Sequence, residues 1–87
     1  MMSFVLWGSS PRRDALMLGK LEQAAKAVDA EVEIRYVDLL ADVDRAVLAG
    51  VVEVPVVQLE GDPTTFVSMQ TPSFEKKFSE LLSRLSA

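Results

Sequence analysis

Pro55 stands at the head of Val56-Val57-Gln58-Leu59, within a valine-rich stretch that begins after Gly50. Proline has no backbone N–H to give to a ladder, so in a sheet it is confined to a strand's first residue, an edge or a bulge. The stretch therefore reads as a strand over 54–60 that is entered through the proline. The Val54–Pro55 bond is either trans, opening an edge strand, or cis, leaving the backbone of Val54 open to a neighbouring loop. The chain contains neither cysteine nor histidine. Disulfides and zinc-type ligand sets are therefore out of reach, and packing alone must hold the fold. Eighty-seven residues fit a single domain, 1–87, which buries roughly 60–65% of the surface its unfolded chain exposes.

The rest of the pattern is consistent with a small α/β unit. Ser3-Phe4-Val5-Leu6-Trp7 is a nearly continuous apolar run that ends at Gly8-Ser9-Ser10-Pro11, as expected of a strand buried on both faces. Helical spacing follows over 12–28, with apolar residues at Leu16, Leu18, Leu21, Ala24, Ala25 and Val28. Ser10 is its expected cap, Pro11 its first position, and Asp14 lies where the helix dipole favours an anion. Gly19, inside this helix, is expected to allow close packing on the sheet. Residues 31–37 alternate as a strand, and 42–49 form a short helix closed by Gly50. Gly61-Asp62-Pro63 is a turn before a strand over 64–68. A last helix is expected to be capped by Thr71, with Pro72 first and Phe74, Phe78, Leu81, Leu82 and Leu85 on its apolar face. The expected order is β-α-β-α-β-β-α, a four-stranded mixed sheet with helices on both faces and its first two strands parallel.

Net charge is −4, with acidic and basic residues interspersed. Nucleic-acid binding needs a basic face, and Arg12-Arg13 with Lys76-Lys77 are too few to make one. The apolar start of the chain is too short for a signal peptide or membrane span, so a cytoplasmic location is the expectation. Asp38, Asp42 and Asp44 lack the glycine and distal glutamate of a calcium loop, and the cluster reads as an Asp42 cap or as solvated charges.

The element order, with a proline opening the third strand, resembles the thioredoxin-like superfamily, and in size and spacing the glutaredoxins and NrdH-redoxins. The resemblance is carried first by Gly50-Val51-Val52-Glu53-Val54-Pro55-Val56-Val57. It implies that Val54–Pro55 is cis and that the Val54 backbone faces the active-site loop. Ser68-Met69-Gln70-Thr71-Pro72-Ser73 is similar to an NrdH-redoxin segment through its serine and proline. The Gly-Gly pair by which glutaredoxins hold glutathione is absent, which argues against glutathione. Ser10-Pro11-Arg12-Arg13 overlays the family's Cys-Pro-x-Cys, and Leu6-Trp7-Gly8-Ser9-Ser10-Pro11 is more distantly similar to a turn of KaiB, a redox-free binding protein of the same fold.

Disulfide exchange needs a thiolate, which this chain cannot supply. Ser10 has no histidine to activate it and reads as a cap. The expectation is therefore a redox-inactive binding module without cofactor, not an enzyme. Its groove would be formed by Trp7, Ser10, Pro11, Arg12, Arg13, Val54, Pro55, Ser68, Met69 and Thr71, and its partner would be a protein. Trp7 has two readings, an anchor in the core or an exposed aromatic beside the groove. Met69 likewise either fills the core or lines the groove. The alternatives are an accessory that binds a small thiol or anion, and a structural subunit of a larger assembly.

Overall fold

A computed structural model describes residues 1–51 and 53–86; Val52, within the segment that carries the resemblance, and Ala87 lie outside the described residues. The elements run β1 (Met2–Gly8), α1 (Pro11–Ala27), β2 (Val32–Asp38), α2 (Val43–Leu48), β3 (Val56–Leu59), β4 (Asp62–Ser68) and α3 (Phe74–Leu85). The sheet order is β2-β1-β3-β4. β1 and β2 are parallel, and β3 is antiparallel to both β1 and β4.

Strand alternation divides the core into two layers. Phe4, Leu6 and Val57 face α1 and α3, meeting Leu21, Ala24, Ala25, Phe74, Phe78, Leu81 and Leu82. Phe4 and Phe78 pack edge to face with centroids 5.2 Å apart, a geometry favoured by the ring quadrupoles. On the other face Val5, Trp7 and Val56 meet Ala46 of α2. Burial of Phe4 through Trp7 matches the continuous apolar run of the first strand.

Both short connections after α1 and α2 close as Schellman motifs, which satisfy the last carbonyls of a helix. After α2, Gly50 at φ +73° donates to Val47 O and Val51 donates to Ala46 O. After α1, Asp29 at φ +55° takes the left-handed position, with Asp29 and Ala30 donating to Lys26 O and Ala25 O.

Several local expectations are corrected. Ser10 is the residue before α1, but its hydroxyl makes no capping bond. α3 begins at Phe74 after Ser73, so Thr71 and Pro72 lie in the preceding turn. Val54 and Pro55 precede β3 and are not part of it. Leu16 is largely exposed, because the buried stripe of α1 runs through Asp14, Leu21, Ala24 and Ala25.

Gly19 packs against nothing: a methyl group there would have no neighbour within 4 Å. Gly19→Ala should accordingly raise stability by about 1 kcal/mol, the helix-propensity difference. Chemical denaturation checks this, with an unchanged m-value and a higher midpoint expected.

Candidate functional site

Strand register brings three separated segments to one end of the sheet. Gly8 lies opposite Asp38, Trp7 opposite Val56, and Val56 opposite Ser68. The chain after β1, the chain before β3 and the chain after β4 therefore leave the sheet on the same side. Ser10 to Arg13, Val54-Pro55 and Ser68 to Thr71 are collected there.

The first segment is organised by a carboxylate. Asp14 is one turn into α1 and fully buried. Its Oδ2 accepts the Ser10 N–H at 3.1 Å and the Tyr36 hydroxyl at 2.8 Å, and its Oδ1 accepts Arg13 Nε–H at 3.3 Å. Three donors from a loop, a helix and a neighbouring strand thus satisfy an anion that burial alone would disfavour. Gly8 supplies the room: a Cβ there would collide with the Asp14 carboxylate and with Tyr36 Cε1.

Asp14 and Tyr36 were not among the expected site residues. The signal was present in the helix spacing, since Asp14 precedes Leu18 by four residues and Leu21 by seven. A carboxylate at the head of a buried stripe requires donors.

Burial raises the Tyr36 phenol above its ordinary value, and the hydrogen bond to Asp14 and the negative charges of Asp14 and Asp38 raise it further, against a smaller opposing effect of Arg13. Tyr36 is the chain's only tyrosine, so phenolate absorbance reports it alone. Its midpoint should lie well above the usual value of about 10, and Asp14→Asn should bring it down. Because the folded-state value is the higher one, the associated stability is complete below about pH 10 and is lost as pH rises from there toward the folded-state midpoint.

The second and third segments are tied together. The Val54–Pro55 bond is cis. The Met69 N–H donates to Pro55 O at 3.0 Å, and Gln70 Nε2–H donates to Val54 O at 2.8 Å. Gln70, also outside the expected set, thus engages the backbone of the residue before the proline.

Among the expected groove residues, Pro11, Arg12 and Arg13 are exposed, and Ser10, Val54, Ser68 and Thr71 are half-buried. Trp7, Pro55 and Met69 are buried. Trp7 is 2% exposed, lies under α2, and donates Nε1–H to Gln58 Oε1 at 3.3 Å. Met69, also 2% exposed, belongs to the opposite layer with α1 and α3. Trp7 and Met69 are therefore core residues on opposite faces of the sheet, and the accessible surface at this end comes from the other segment positions.

The exposed positions of this arrangement offer contact area and backbone groups. Asp42 Oδ1 accepts the Arg45 N–H and caps α2, and Asp38 Oδ1 accepts the Leu40 N–H in the turn after β2. Among the described residues no group of three ligating side chains converges as a metal site would require. No helix among the described residues is long and apolar enough to cross a membrane. No protein family, curated protein or solved structure matches the chain.

Proposed function

We propose that this chain is a redox-inactive, thioredoxin-like binding module that engages a protein partner through the sheet end formed by Ser10–Arg13, Val54–Pro55 and Ser68–Thr71. The observation that supports this reading most is the convergence of those three segments beside a cis proline. The order of elements and strands is compatible with a thioredoxin-like domain, and the absence of a thiol removes disulfide exchange. Pro11, Arg12 and Arg13 supply the exposed rim, and Val54 a half-buried apolar floor.

The reading as an anion-binding accessory is weakened by Asp14. Its carboxylate already takes the Ser10 N–H, and Pro11 has no N–H to offer. A second anion at the head of α1 would sit beside a buried negative charge.

A photo-activatable residue at position 12 tests the proposal, with position 22 on the exposed side of α1 as control. A discrete cross-linked protein at position 12 and none at position 22 is expected. Equal labelling at both positions would remove the sheet end as the binding surface.

A further inference from the structure

The two edges of the sheet differ in chemistry. β2 has only β1 beside it, and β4 has only β3. The β2 edge carries exposed Glu33 and Arg35, the kind of charge that keeps a sheet edge from pairing with another chain. The β4 edge has a proline at its start, Pro63, but then runs Thr64-Thr65-Phe66-Val67-Ser68 with no charge. Beyond the first residues of the strand, nothing among the described residues blunts it.

An open groove of about 1090 Å³ lies along this edge, between Phe66, Val67 and Ser68 of β4 and the flank of α3. Lys76, Lys77 and Arg84 line it against a single acid, Glu80. None of the three cations is in an ion pair among the described residues. The chain as a whole is acidic, so this is a local reversal of sign.

We propose that the β4 edge and α3 form a docking groove for an acidic, extended peptide segment, which adds to the sheet as a fifth strand. Backbone pairing along β4 would supply affinity, and alternate side chains would supply selectivity. Residues of an added strand point alternately to the two faces of the sheet. One set would place carboxylates beside Lys76, Lys77 and Arg84. The other set would lie on the face of Phe66, which sits opposite Gln58 and is 54% exposed. The preferred segment therefore alternates acidic and apolar residues. A second copy of the chain is the poorer occupant, because pairing β4 with β4 would set the same cations against one another. This surface shares only Ser68 with the sheet end and does not depend on the function proposed above.

The test uses a fluorescent peptide in which glutamate alternates with valine, and a counterpart with lysine in place of glutamate. Saturable binding of the glutamate peptide, weakened by salt and absent with the lysine peptide, is expected. Lys76→Glu combined with Lys77→Glu, both exposed on α3, should weaken binding roughly tenfold while leaving the fold intact. The amides of residues 65–68 that face away from β3 should gain protection from hydrogen exchange when the peptide is bound. No binding of the glutamate peptide, equal binding of both peptides, an unaffected double variant or no gain in protection at those amides would each overturn the proposal. Sedimentation of the free protein as a dimer that the glutamate peptide does not dissociate would overturn it in favour of a second copy at the edge.

Discussion

Gly8→Ala should destabilise the protein by about 3 kcal/mol, the upper range for overpacking at a site that cannot relax. The added methyl would meet the Asp14 carboxylate and Tyr36 Cε1. Neither neighbour is a free surface group. Asp14 is held by Ser10, Arg13 and Tyr36, and Tyr36 comes from β2, which pairs with β1 through Gly8 itself. Moving the carboxylate would strand donors, and moving the phenol would leave Asp14 buried with fewer of them. Denaturant midpoints at constant m-value measure the loss. In an Asp14→Ala background the same substitution should cost distinctly less, since one of the two obstacles is gone. Equal costs in both backgrounds would show that Asp14 does not fill the space beside Gly8.

Trp7→Ala should cost about 3–5 kcal/mol, as truncation of a fully packed tryptophan does. The ring contacts Val5, Val56 and Ala46 in the layer under α2. Its N–H donates to Gln58, whose own amide donates to Ala49 O at 2.9 Å and so ties β3 to the end of α2. Arg45 lies over the ring with its guanidinium carbon 6.0 Å from the centroid. For a chain of this size total stability is of order 4–13 kcal/mol, so the loss takes a large share of the total and should lower the denaturation midpoint sharply. Trp7→Phe keeps most of the volume and should cost less than half as much. Far-ultraviolet circular dichroism during denaturation separates the two. A folded, undiminished alanine variant would show that α2 does not cover this ring.

The parts of the fold that could be read from the sequence rest on short-range physics. The apolar run of β1, the period of α3 through Phe74, Phe78, Leu81 and Leu82, the Asp42 cap and the left-handed Gly50 each follow from neighbouring residues. The start of α3 was missed because Thr71 and Ser73 are both good caps. Ser73 is the residue before the helix, and the Thr71 hydroxyl instead lies 3.2 Å from the Ser73 hydroxyl in the turn. The candidate site was legible as three segments and not as a surface. Trp7 and Met69 have the composition of a binding groove, but α2 covers one while α1 and α3 cover the other. Asp14 was hidden for a related reason: its main side-chain partner, Tyr36, is 22 residues away on a different element. Sequence spacing can show that a carboxylate lies on a buried stripe, but only the tertiary pairing shows what satisfies it.

Whether the sheet end is a protein-binding surface is decided by the affinity of the partner captured at position 12. Arg12→Glu and Val54→Asp change an exposed rim residue and the half-buried floor without touching the Asp14 cluster. Each should weaken binding on the order of tenfold or more, measured by titration calorimetry on variants shown to keep the wild-type denaturation midpoint. Glu33→Ala, exposed on β2 away from this end, should leave affinity unchanged. Full affinity in both Arg12→Glu and Val54→Asp would exclude the sheet end as the binding surface.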